Sequence, residues 1–234
     1  MSSAQASSAQ ETMVSLVWSL ADTKAALGRA YAEWAVSAPT LESAVAAAAM
    51  AQDELGHARS TYPVVKALAG QSDSGDGSRR LAILDRGLPD WPAFIAANLL
   101  IDGMLTSFVA ACVESSETQI ASRARKILQE EGSHRVHAEA WSRRLCLGEG
   151  AELELFAGRL RDAWEHAARW LGPADDPGMQ AALAAGLFSA GGPELREQVR
   201  VWATPLLSSG QLELDLAEPT DWVGWDPDSR RWES

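Results

Sequence analysis

The chain is short of the features that would mark it as secreted, membrane-spanning or bound to nucleic acid. Its two cysteines, Cys112 and Cys146, are far apart and in no metal-like spacing, so they read as small buried hydrophobes and not as a disulfide. Basic residues are outnumbered, 20 Lys and Arg against 32 Asp and Glu, for a formal charge of −12 and a pI near 4.8. That balance excludes the dense cationic footprint that a phosphate backbone or an anionic membrane requires, so neither nucleic acid nor membrane is expected as a partner. The opening stretch MSSAQASSAQET has neither the basic nor the apolar region of a leader. The longest apolar runs are expected to be broken by charges too often to cross a bilayer. No strand-like alternation and no short repeat appears. A cytoplasmic protein is expected.

What is present is an apolar content of 47%, enough to bury a core, arranged at helical spacing. From residue 13 to 37, Met13, Leu16, Val17, Leu20, Leu27, Tyr31 and Trp34 share a face, and Ala38-Pro39-Thr40 breaks that helix and caps the next. The second helix, 40–69, carries Ala47, Met50, Glu54, His57, Thr61, Val64 and Leu68 along one stripe. The polar stretch 70–78 reads as a loop, followed by a short helix near 79–86. A third helix over 91–115 aligns Ile95, Leu99, Asp102, Leu105, Val109 and Val113; a fourth over 117–146 aligns Ile127, Glu131, His134, Ala138, Trp141 and Leu145. Further helices are expected at 152–171, 178–190 and 193–208, separated by GPADDPG and GGP. The domain reading is a disordered segment 1–12, a helical domain 13–209 and an irregular, acidic, tryptophan-bearing tail 210–234 that packs on the bundle or on a partner.

The chemistry is concentrated in two short segments, QDELGHAR and QEEGSHRVH, each with a Glu and, three positions on, a His. On a helix, i and i+3 lie on one face. An ionised carboxylate turned into a core costs several kcal/mol unless a cation compensates it, so the inward-facing Glu54, Asp102 and Glu131 call for one. Two Glu-x-x-His helices plus acids from the other two make the ligand set of ferritin-like di-iron or di-manganese carboxylate bundles. The mixed oxygen and imidazole donors suit iron or manganese better than zinc. The expected fold is therefore all-α: a ferritin-like antiparallel four-helix bundle with additional C-terminal helices and an irregular tail. Asp53 and Glu130, each preceding a motif Glu, are placed to accept a hydrogen bond from the outer nitrogen of a metal-bound His. His137 and His166 read as surface residues.

The segments MAQDELGHARSTY, LLIDGMLTSFVAAC, KILQEEGSH, RDAWEHAARWLGPADD and PELREQV resemble the phenylacetic acid catabolic family, and within it the catalytic subunit of the phenylacetyl-CoA epoxidase complex. The resemblance implies an iron-dependent oxygenase component acting on an aromatic acyl-CoA, fed by a separate electron-donating reductase. It also implies assembly with a related metal-free helical subunit or as a homo-oligomer. It assigns Glu54, His57, Asp102, Glu131 and His134 as metal ligands. Counting back from the shared Ala38-Pro39-Thr40-Leu41 turn, the family's first-helix ligand is a Glu, and here that place holds Lys24. Asp22 is two residues away, a rotation of about 200° on a helix, and so faces elsewhere. Lys24, Glu54 and Glu131 are the expected catalytic groups, with Lys24 paired to Glu54 or Glu131 and standing in for the ion beside His57. Two functions follow: an oxygenase whose di-iron-type centre is reduced to one metal, or a non-catalytic structural subunit with a degenerate site.

Overall fold

The computed structural model describes residues 3–70, 77–210 and 212–233. Helix α1 (Ser3–Trp34) and helix α2 (Leu41–Ala69) form a long antiparallel hairpin. Thr40 caps α2 by accepting the Ser43 amide, as its sequence position foretold. The two helices approach closely because Gly28 has no side chain: a Cβ there would lie 2.7 Å from Leu55 Cγ and 3.1 Å from the Ala51 carbonyl oxygen. That close approach lies one turn from Lys24 and level with Glu54.

The second hairpin starts with α3 (Trp91–Ala96), capped by Asp90. It continues through a π-helical turn (Ala97–Asp102) into α4 (Gly103–Ala111). This stretch is apolar and long enough to cross a membrane by composition, and Asp102 is its sole charge, contrary to the expectation of frequent charges. It is instead the central helix of the bundle, with Phe94 through Asp102 buried on every side. The expected fourth helix is two, α5 (Thr118–Leu128) and α6 (Glu131–Leu145), separated at Gln129 and Glu130. Together α1, α2, α3–α4 and α5–α6 make the four-helix bundle, so the fold is all-α and ferritin-like.

Among the described residues three more helices pack on it: α7 (Ala151–Trp170) on the central helix, α8 (Pro177–Ala184) on α1, and α9 (Gly192–Leu207) on α4 and α6. Cys112 and Cys146 are free and buried. The short helix of the long connection is a 3-10 turn, Ala82–Arg86. Residues 71–76 of the expected loop lie outside the described residues.

At the chain ends one expectation is corrected and, of two alternatives, one is seen. Residues 3–12, read as disordered, continue α1, with Ala9 and Thr12 buried. Their Ala and Gln content supports helix, and burial continues through Thr12, which lies against Gly178 of α8. The tail has a seat on its own chain. Trp164 donates to the Ala217 carbonyl at 2.7 Å, Arg169 to that of Asp221 at 3.0 Å, and Ser15 to that of Asp228 at 2.7 Å. Arg230 is buried and paired with Asp176 at 2.7 Å, and a two-residue antiparallel ribbon joins β1 (Trp225–Asp226) to β2 (Arg231–Trp232).

Candidate metal centre

Six inward side chains from four bundle elements meet in the interior: Lys24 of α1, Glu54 and His57 of α2, Asp102 of the π-helical turn, and Glu131 and His134 of α6. All are buried. The π turn puts Asp102 at its last position, and such bulges recur where a helix must re-aim a functional residue. The break before α6 makes Glu131 the first residue of that helix, where the backbone dipole favours a negative charge.

The ammonium of Lys24 lies among the three carboxylates. It donates to Glu54 Oε1 at 2.9 Å and Oε2 at 3.0 Å, to Asp102 Oδ1 at 3.2 Å and to Glu131 Oε1 at 2.8 Å. The sequence anticipated a pairing with Glu54 or Glu131; the lysine takes both and Asp102 as well. Asp22 is turned away, accepting from the Tyr62 hydroxyl at 2.7 Å and the Arg79 amide at 3.0 Å.

Both histidines direct Nδ1 inward. His134 Nδ1 is 2.9 Å from Asp102 Oδ2, 3.4 Å from Glu54 Oε1 and 3.5 Å from Glu131 Oε2. His57 Nδ1 is buried without a hydrogen bond, 3.4 Å from Glu131 Oε1. Their outer nitrogens are held by the two anticipated carboxylates in a crossed arrangement: His57 Nε2 by Glu130 at 2.7 Å and His134 Nε2 by Asp53 at 3.3 Å. Each hairpin thus supplies the acid that orients the other hairpin's histidine. Around them Thr106 donates to Glu131 Oε2 at 3.0 Å and Asn98 lies 3.5 Å from Asp102 Oδ2. Thr106 and Asn98 gave no sequence signal, being ordinary polar residues in an apolar run.

His137 and His166 are half-buried, not surface groups. His137 contacts Asn98 Oδ1 at 3.2 Å and sits edge-on to Trp91; His166 meets Trp232. Both lie outside the cluster.

The electrostatics follow from burial and from the crowding of like charges. Burial, reinforced by the Asp102 carboxylate, pushes Glu54 up to about 8 against the pull of Lys24. Burial also raises Asp102, but Lys24 and His134 outweigh it and hold that carboxyl well below the usual range. Burial pulls Lys24 down, and the charges of Glu131, Glu54 and Asp102 more than reverse it. His134 is likewise lowered by burial, then carried up to about 11 by its bond to Asp102. Burial and Lys24 together drop His57 to about 3, leaving a neutral ring.

The donor set tests whether a metal fits. One donor atom each from Glu54, Asp102, Glu131 and His134 lies within 4.8 Å of the others, a set that can hold one ion. His57 stands outside that set, on the side that Lys24 fills. Three carboxylates and one ammonium leave a charge of −2, which one divalent ion balances; without metal, a proton on His134 and one on Glu54 supply the same compensation. The donors therefore fit a single divalent ion that displaces two protons. Since Asp53 orients a histidine of this set and Glu130 does not, Asp53→Asn is expected to weaken metal affinity by about tenfold or more and Glu130→Gln by much less. Competitive titration against a fluorescent chelator measures the difference, and equal losses would contradict the one-ion geometry.

A cavity of about 360 Å³ opens onto this centre between α4, α6 and α9, with Asp102, Glu131 and His134 at its inner end. Lys24 and His57 are not among its lining residues.

No curated protein matches the chain. The profile described as phenylacetic acid catabolic protein matches residues 1–234. A ferritin-like bundle, an inward carboxylate and histidine cluster and a profile that spans the whole sequence agree: the chain belongs to the phenylacetic acid catabolic protein family.

Proposed function

We propose that the chain is the metal-bearing helical component of an oxygenase that acts on an aromatic acyl-CoA such as phenylacetyl-CoA, with one divalent ion, iron by its donor chemistry, in place of a pair. The observation that carries this reading is the orientation of the imidazoles. His134 presents Nδ1 to the carboxylates while Asp53 holds its far nitrogen, and the cavity ends on the same face. Glu54, Asp102, Glu131 and His134 would hold the ion, which when bound supplies the reduced-metal chemistry that dioxygen requires. The protein's own part is distinct. Lys24 fixes the three carboxylates and supplies positive charge where a second ion would sit. Thr106 fixes the outer oxygen of Glu131, and the apolar central helix keeps bulk water out. The reading brings a separate electron-donating reductase and a related helical subunit or a second copy as partners.

A second reading, a structural subunit without a metal, is favoured by the completeness of the Lys24 bonding, since all three carboxylates already have a cationic partner. Mass spectrometry of phenylacetyl-CoA incubated with iron-supplied protein, air and a chemical reductant separates the two. The expected result is a product heavier by one oxygen that is lost in His134→Ala. An unchanged substrate with iron bound to the protein would overturn the oxygenase reading.

A further inference from the structure

Helix α2 turns Glu54 and His57 to the core and a second, different stripe to solvent. On its outer side Leu41, Val45, Ala48, Gln52, Leu55 and Arg59 recur at alternating steps of four and three residues. This is the heptad spacing of a helix that packs along another helix. Among the described residues no element covers the stripe: Leu41 is 76% exposed, Val45 62% and Leu55 40%, whereas Met50, Glu54 and His57 on the inner side are buried. From Ser43 to Gln52 no charged side chain interrupts it. An uncharged, apolar run of this length on an exposed helix face is a place for a partner.

The stripe is complementary to itself. When two copies are laid antiparallel about a two-fold axis level with Met50, Val45 of one copy faces Leu55 of the other and Ala48 faces Gln52, each contact occurring twice, as an isologous interface requires. The alanine at the middle lets the two backbones approach closely. The ends carry opposite charges. Exposed Glu42, beside Leu41, comes against exposed Arg59 of the other copy at both ends of the pairing. Neither residue has an ion-pair partner among the described residues. A parallel alignment would instead set Glu42 against Glu42 and Arg59 against Arg59.

We propose that the outer face of α2 is a homodimer interface, in which two copies pack α2 on α2 antiparallel about that two-fold axis. The stripe from Leu41 to Arg59 is about 27 Å long. Two such stripes bury an area at the low end for specific contacts, so association in the micromolar range is expected. The proposal rests on the functional reading only in choosing a second copy as the partner, and its test needs neither metal nor substrate, so a failed oxygenase assay leaves it untouched. Sedimentation velocity of the metal-free, full-length protein, from low micromolar to several hundred micromolar concentration, is expected to show a monomer passing into a dimer. Glu42→Arg and Arg59→Glu, each of which sets like charges together, are expected to weaken the dimer about tenfold, and the double variant to restore it. Val45→Arg is expected to abolish it. Register is read by mild oxidation: a mixture of Val45→Cys and Leu55→Cys chains is expected to cross-link, and either chain alone is not. Circular dichroism checks that each variant is folded. A wild type that stays monomeric throughout, a dimer that survives Val45→Arg, or a charge-swapped double variant no tighter than the single ones would overturn the proposal.

Discussion

In metal-free protein, Lys24→Met is expected to lower the unfolding free energy by about 3–5 kcal/mol, the usual consequence of removing one partner from a buried ionic cluster. Glu54, Asp102 and Glu131 lose a cation that touches each of them within 3.2 Å. For a chain of this length the change corresponds to a melting temperature lower by roughly 6–20 °C. Adding ferrous iron is expected to recover most of the loss, because a divalent ion compensates the three carboxylates better than one ammonium does. A loss below about 1 kcal/mol in denaturant unfolding, with iron making no difference, would show that Lys24 is not the counter-ion of the cluster.

The pH dependence of the metal-free protein is the second large effect. Glu54, raised to about 8, and His134, raised to about 11, both bind protons more tightly folded than unfolded. Stability from each is complete below its unfolded value and is lost as pH rises toward its folded one. Between about pH 6.5 and 8 both act together, and the folded protein holds nearly two protons that the unfolded chain has released. Stability should therefore fall by roughly 2 kcal/mol per pH unit across that window. Below pH 6.5 His57, lowered to about 3, and His137 and His166, each lowered to about 4, work the other way: the unfolded chain gains protons that the three folded rings refuse. Together they outweigh Glu54, so stability should rise with pH between about pH 4.5 and 6.5 and be greatest near pH 6.5 to 7. Metal reverses the trend at the alkaline side, because the ion displaces those two protons and binds more tightly as they become easier to remove. Denaturant melts from pH 5 to 8, with and without iron, measure both branches. A metal-free stability that rises from pH 6.5 to 8 would contradict the assignment of the protons.

The parts of this site that were legible in the sequence are those whose chemistry contradicts their surroundings. Glu54 and His57, and again Glu131 and His134, are polar residues in phase with apolar stripes, and a helix of known period converts that phase into a shared direction. Asp102 could be read for the same reason. Lys24 was legible only through the family resemblance, since one lysine near an apolar stripe carries no signal by itself. The crossed partners Asp53 and Glu130 were legible as acids beside a histidine, but which histidine each serves depends on how two hairpins pack.

Other features left no local trace. The π turn at Ala97–Asp102 lies in a uniformly apolar run, and tertiary packing decides its register; Gly103 is its single mark. The helix over residues 3–12 lacks an apolar stripe and is held by Ala9 and Thr12 packing against the body of the protein. The tail has no period because its seat is built from scattered anchors, chiefly the buried pair of Arg230 and Asp176. The contact of Trp202 with Gly103 joins residues from two helices that sequence spacing cannot relate.

The central claim is that Lys24 replaces one ion of a pair and leaves a site for the other. Elemental analysis of iron per chain, on purified wild type and Lys24→Glu expressed with iron supplied, tests it most directly. The account predicts about one ion per chain in the wild type and about two in the variant, because the fourth carboxylate restores a charge of −4. Two ions in the wild type, or none in either form, would contradict it.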